Sequence, residues 1–256
     1  MLDFVDFDRQ RLSAFKKNPT VCNSIDFDMR ETIHLLKFME VDYFNYSFGT
    51  VTNEGTMSMI REYYQKRPFG KHKLIVHNAD NPSIEFIKNS GHYTLKENIS
   101  YLQSPAKNIQ SIQPQNIQLT PVDHTQIGLY TQRYLEVFSA QNNHPSSVEE
   151  NLKLMLHIPN FHAYLVQHQK ECIGICSFWI YNNTLLYTAG GLQEPYRGMK
   201  FHLDTLAART LLAQQAGTVE SISSWATSNS ASSHNLQAFG LTNTHNYNVY
   251  EFTGTP

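Results

Sequence analysis

Residues 185–202 read LLYTAGGLQEPYRGMKFH. An apolar, aromatic run gives way to a Gln-Glu-Pro-Tyr turn, and helical periodicity starts at Gly198. A strand that feeds a helix through a short turn restricts the chain to folds that mix sheet and helix in one body. The first backbone N–H groups of a helix have no partner within it, and the helix dipole favours negative charge there. Such a turn can hold a phosphate or pyrophosphate, and Arg197 and Gly198 stand at its mouth. The plainer alternative is an ordinary strand-to-helix turn with a surface arginine.

The flanking pattern extends this reading. Runs at 161–168, 172–181 and 184–192 are short and rich in β-branched and aromatic residues. The links Gln169-Lys170-Glu171 and Asn182-Asn183 are turn-like, which predicts an antiparallel meander. Before it, residues 123–140 and 146–157 carry helical apolar spacing, with Ser147 as a cap and Pro159 as a stop. After it come a helix over 198–216, a strand at 221–227, a helix at 230–239 ended by Gly240, and a strand at 246–252. With a first strand at 117–120, the order is β-α-α-β-β-β-α-β-α-β.

Residues 103–121 are rich in Gln, Ser, Asn and Pro and read as a connector. Upstream, strands at 43–48, 74–78 and 93–102 alternate with helices at 53–67 and 82–89. That order repeats the last part of the downstream lobe. Asn81, a short helix and Gly91 parallel Asn229, a short helix and Gly240. The predicted class is α/β (α+β), a mixed sheet flanked by helices, with lobes at 1–112 and 113–256. The aromatic segment YFNYSF at 43–48 suits a buried strand better than a stacking platform.

Charge excludes several partners. Twenty Lys and Arg oppose 22 Asp and Glu across 256 residues, so no footprint for nucleic acid or an anionic membrane is present. Three cysteines form neither a disulfide framework nor a zinc set, and no metal is expected. No stretch of about 18 apolar residues occurs and the first residues lack an apolar signal core, so a cytoplasmic address is expected. Oligomeric state is not written in the sequence.

The segment resembles the GNAT acyltransferase superfamily. Leu192 matches the family's apolar strand end, Pro195-Tyr196 its turn, and Arg197 the first position of its Q/R-x-x-G-x-G/A loop. Thr227-Ser228-Asn229 is similar to the end of its fifth strand, and Phe239-Gly240-Leu241 to its terminal L-G-F. The resemblance covers residues 116–256 in full element order. The first lobe resembles a degenerate half of the same fold, as in tandem members. Two departures stand out. The motif's two small positions fall on Lys200 and His202, and the family's frequent catalytic Tyr aligns with Leu236.

The resemblance implies acetyl-CoA as co-substrate, held by Leu192, Gln193, Arg197, Gly198, Met199, Lys200, Phe201, His202 and Asn229. It implies an oxyanion N–H near Leu192 and Gln193. The implied activity is N-acetyl transfer to a small amine, with an amino sugar as one candidate. A catalytically inactive CoA-binding or interaction module is the alternative, and acyl transfer to a protein amine is a third. His234 is the candidate for proton transfer, since imidazole titrates in the useful range. Glu194 reads as a turn carboxylate, Tyr247 and Tyr250 as packing residues, and Asp204 and Arg209 as a solvated helix face. The first lobe, whose strand leads into TNEGTM, is not expected to bind CoA.

Overall fold

Strands β7 (Phe161–His168), β8 (Glu171–Tyr181) and β9 (Thr184–Leu192) form the antiparallel meander that the sequence predicts. Its two tight turns place Gln169, Lys170, Asn182 and Asn183 at positive φ. That backbone twist matches the twist of paired strands, which is why two-residue turns favour it. The computed structural model describes residues 3–30, 32–39, 41–65, 71–109, 113–138 and 145–254.

The meander belongs to one of two units. This unit comprises Leu102–Ser224 and His234–Thr242. It adds β6 (Gln118–Pro121), α4 (Ile127–Val137), α5 (Pro145–Met155), α6 (Phe201–Ala216), the first part of β10 (Ser221–Thr227) and most of α7 (Ala231–Phe239). Its strand order is β10-β9-β8-β7-β6. Pro145 opens α5, a position where its missing N–H costs nothing, so Ser147 lies in the first turn instead of capping it. Phe178, Leu185, Leu186, Tyr187, Leu206 and Ile222 are buried in its core.

The other unit comprises Met1–Tyr101, Trp225–Ser233 and Asn243–Pro256. Its elements are α1 (Asp3–Phe15), β1 (Ile25–Arg30), β2 (Ile33–Phe38), β3 (Tyr46–Phe48), α2 (Glu54–Tyr64), β4 (Lys73–His77), α3 (Asn81–Ser90), most of β5 (Tyr93–Pro105) and β11 (Thr242–Phe252). Their strand order is β1-β2-β3-β4-β11-β5. The expected strand at 43–48 is shorter, because residues 42–44 form a 3-10 turn. Asn45 pins that turn by bonding the backbone of Phe38 and Val41. The aromatic segment is a packing element: Phe44 and Tyr46 are buried, and Phe48 meets Phe4 edge-on at 5.7 Å.

The lobe boundary at 112–113 needs correction. β11 pairs antiparallel with β4, from Tyr247 opposite His77 to Glu251 opposite Lys73. Trp225 stacks on Phe4 at 5.2 Å, and the Ser228 N–H donates to the Asn98 carbonyl. The end of the chain therefore completes the sheet of the first unit. The expected repeat is present in element order: β3-α2-β4-α3-β5 matches β9-α6-β10-α7-β11. In both halves the first two strands are parallel.

Candidate functional site

Strand β9 loses one neighbour part-way along. It pairs in parallel with β10 only at Thr184, Leu185 and Leu186, opposite Ser221, Ile222 and Ser223. Among the described residues, the register from Tyr187 to Leu192 pairs β9 with β8 alone. The Gln193 N–H donates to the Ile173 carbonyl at 2.9 Å. Bonded and non-bonded pairs alternate along an antiparallel ladder. Gly191, opposite Ile175, therefore faces β8, and the N–H groups of Gly190 and Leu192 point away from it, towards the open edge. The Leu192 carbonyl fits this phase, accepting the Arg197 Nε–H at 3.1 Å. Of the two residues at which an oxyanion N–H was expected, Gln193 has its N–H already engaged, so the open donors are those of Leu192 and Gly190.

A bulge lies just before these donors. Cys176 faces Gly190 and Phe178 faces Tyr187, so Ser177 alone opposes both Thr188 and Ala189. The Ser177 Oγ bonds the Thr188 hydroxyl at 2.7 Å and accepts the Ala189 N–H at 3.2 Å. Arg209 on α6 donates Nη1–H to the carbonyls of Ser177 at 3.1 Å and Ala189 at 3.4 Å. Its guanidinium lies 4.5 Å from the Tyr187 ring centre. Arg209 is thus not part of a solvated face; it is 2% exposed. Helical periodicity could not show this, because the bulge that holds the guanidinium is a tertiary feature. Asp204, three-dimensionally separate in role, accepts from the backbone and side chain of Asn116.

The two glycines at the strand end do different work. A Cβ at Gly191 would stand 2.0 Å from the Val137 Cγ1 of α4. A Cβ at Gly190 would stand 3.2 Å from the Arg209 Nη2. A Gly pair inside a strand signals close backbone approach or a bulge. The sequence carried that signal for Gly190, Gly191 and, through them, Arg209.

The loop beyond β9 starts with a 3-10 turn, Glu194–Tyr196, and leaves Arg197, Gly198, Met199 and Lys200 exposed. Gly198 has φ 79°, and no heavy atom lies within 4 Å of a Cβ built there. Lys200, at the N-cap of α6, has φ 64° and supplies no side-chain cap. This explains why a small residue suits that position: the left-handed conformation costs a non-glycine residue about 1 kcal/mol. The contrast with α2 is informative. There the Asn53 side chain accepts the Thr56 N–H at 2.9 Å and caps the helix from within.

Phe201 is buried beside His168, with ring centres 4.6 Å apart. His202 is half-buried, and its Nδ1 has no partner among the described residues. Burial, aided by the Arg209 charge, pushes its pKa down to about 4. His202 is therefore neutral at pH 7, and Lys200 is the cation of that pair. Gln193 donates its amide to Glu136 on α4 at 3.0 Å. Burial acts to raise the Glu136 carboxyl, but hydrogen bonds from Gln132, Arg133 and Gln193 outweigh it and hold it below the usual carboxylate range.

Leu192 through His202 are thus one continuous segment, in which Arg197 to Lys200 are exposed while Leu192 and Phe201 are buried. Asn229, exposed at φ 60°, belongs to the other unit with Trp225–Ser233. His234 is exposed on α7, and Leu236 on the same helix is buried. Tyr247 and Tyr250 are buried packing residues of β11. No cluster of His, Cys, Asp or Glu able to hold a metal occurs among the described residues.

No family model matches the sequence, and no curated protein matches it. Solved structures do. A GCN5-related N-acetyltransferase from Sphaerobacter thermophilus aligns with TM-score 0.64 and 14% identity, over 90% of this chain and 82% of that one. A tandem GNAT protein from the clavulanic acid biosynthesis pathway aligns with TM-score 0.60 and 13% identity, over 88% and 79%. The chain has the two-lobed GNAT fold. A functionally unknown conserved protein from Staphylococcus epidermidis shares it, with TM-score 0.65 and 10% identity over 92% and 96% of the chains. Within this GNAT fold, the parting of β9 from β10 and the uncapped start of α6 lie in the lobe to which the sequence assigned the cofactor. No helix of the described residues is long and apolar enough to cross a membrane.

Proposed function

We propose that the protein is an acyl-CoA-dependent N-acyltransferase, with acetyl-CoA as co-substrate and a small amine, such as an amino sugar, as acceptor. The observation that carries this reading is the open edge of β9, where Gly190 and Leu192 turn their N–H groups away from β8. Acetyl-CoA, when bound, supplies an activated acyl carbon and a thiolate leaving group. The chain's own groups suit that ligand. The first-turn N–H groups of α6, with Lys200 and Arg197 exposed beside them, suit a pyrophosphate. Either the Gly190 or the Leu192 N–H, about 7 Å apart along the strand, suits a carbonyl that gains negative charge as an amine attacks it. In that transfer a C–N bond forms and the C–S bond breaks. The amine gives up its proton to a base, and the thiolate takes one from an acid or solvent.

Thermal unfolding with and without acetyl-CoA, with a free adenine nucleotide as control, tests the reading. Saturation at a hundredfold excess over Kd stabilises the native state by about 2.7 kcal/mol. Replacing Gly198 with Leu is expected to abolish that gain, because the side chain enters the open space a ligand would take; the φ of 79° strains the substitution as well, so the variant's own unfolding without ligand is the reference. No stabilisation at millimolar acetyl-CoA would overturn the proposal.

Leu236 favours a second reading, a GNAT-fold module that binds CoA without transferring its acyl group. It is buried where the family's frequent catalytic Tyr aligns, and His234 faces solvent. Stabilisation by CoA with no product across amino sugars, polyamines and amino acids would select this reading.

A further inference from the structure

Arg209 carries a deeply buried charge. Its side chain is 2% exposed, yet no carboxylate pairs with it among the described residues. Its bonds use one nitrogen, Nη1, which serves the two carbonyls of the bulge. Nε is buried without a partner, and Nη2 has no hydrogen bond among the described residues. Removing a guanidinium from water without an anion is costly, and a guanidinium does not escape that cost by losing its proton. Two carbonyl oxygens and the face of the Tyr187 ring offer partial negative charge, not a full counter-charge.

The position of this charge gives it a use. Nη2 lies 3.2 Å from the point where a side chain at residue 190 would begin. Residue 190 is glycine, and its N–H points to the open edge of β9. With glycine at 190, no side chain stands between the strand backbone and the guanidinium packed against it. About two helical turns back along α6, His202 also buries a ring nitrogen without a partner among the described residues. Its pKa is held down to about 4, first by burial and then by the Arg209 charge. The nearby Cys176 is no counter-ion, since burial pushes its thiol up to about 12.

We infer that Arg209 recognises a carboxylate on the transferred acyl group, so that the preferred donor is the CoA thioester of a dicarboxylic acid. This rests on the acyltransferase reading above and ranks such a thioester ahead of acetyl-CoA as its donor. The carboxylate would form charge-assisted bonds to the free Arg209 donors, a geometry to which the planar guanidinium is suited. The thioester carbonyl would remain beside the Gly190 N–H. The carboxylate takes no part in bond making or breaking.

Calorimetric titration of the full chain with CoA, acetyl-CoA, succinyl-CoA and uncharged pentanoyl-CoA tests the inference without requiring turnover. Succinyl-CoA is expected to bind at least about tenfold more tightly than pentanoyl-CoA, which corresponds to about 1.4 kcal/mol. Arg209→Met is expected to erase that difference while free CoA still binds. Gly190→Ala, which keeps the guanidinium but screens it with a methyl group, is expected to shrink the difference. Equal affinity of the wild-type chain for the two thioesters would overturn the inference whether or not Arg209→Met folds. A difference that survives in folded Arg209→Met would also overturn it, and would assign the preference to another cation. Failure of free CoA itself to bind would sink the acyltransferase reading, and this inference with it.

Discussion

His202 shows how a residue's surroundings set its chemistry. In the sequence it stands, with Lys200, where the loop motif has a small residue; in the fold, burial and the Arg209 charge keep it neutral. The sign of its pH effect follows. Above pH 6.5, neither folded nor unfolded chain holds the proton. As pH falls from 6.5 towards 4, the unfolded chain takes up a proton that the folded one refuses. Stability contributed by the neutral ring is thus lost over that window, by up to about 3 kcal/mol. Urea unfolding at pH 7.5, 5.5 and 4.5 is expected to show His202→Gln losing less stability than the wild type. Lys200 yields a second residue-scale prediction. Because its φ is 64°, Lys200→Gly is expected to raise stability by about 1 kcal/mol, read as a Tm increase of a few degrees. Lys200→Ala, which retains a Cβ, is expected to gain nothing comparable.

Elements meet at the end of β9 with little tolerance. The Val137 side chain of α4 occupies the space that a side chain at Gly191 would need. Gly191→Ala is therefore expected to destabilise by about 2 kcal/mol. Val137→Ala added to it should recover part of that loss, and the double-mutant cycle in chemical denaturation should show a favourable coupling. A purely local effect of glycine replacement would show no such coupling. The same scale explains which elements were legible. The meander and α6 follow unbroken apolar or β-rich runs, and the turns between strands carry residues that accept positive φ. Helix α1 was not legible. Its buried stripe runs Phe4, Asp8, Leu12 and Phe15, and a carboxylate interrupts the apolar spacing. Asp8 is tolerated there because Arg11 and the Tyr46 hydroxyl bond it, partners that periodicity cannot reveal. Burial raises its pKa in spite of them.

At the scale of the molecule, the order of the chain and the composition of the units differ. β11 is last in sequence but lies in the sheet of the first unit, against β4. A cut at residue 112 therefore removes a strand from the fragment 1–112 and leaves β11 without β4 in the fragment 113–256. Neither fragment is expected to give a cooperative unfolding transition by circular dichroism, and mixing them is expected to restore one. Cooperative unfolding of either fragment alone would contradict the division.

The sequence by itself determined the mixed α/β class, the element order of the second lobe and the strand-to-helix turn at 192–202. These depend on local periodicity and turn chemistry, which act over a few residues. It also contained the Gly190-Gly191 pair, but not the reason for it. Tertiary structure alone decided that β9 parts from β10 after Leu186, that Arg209 is buried in the bulge, and that β11 completes the first unit's sheet. Each of these rests on pairing or burial between residues distant in sequence, and such partners are set by the packing of whole elements, not by the spacing of neighbours.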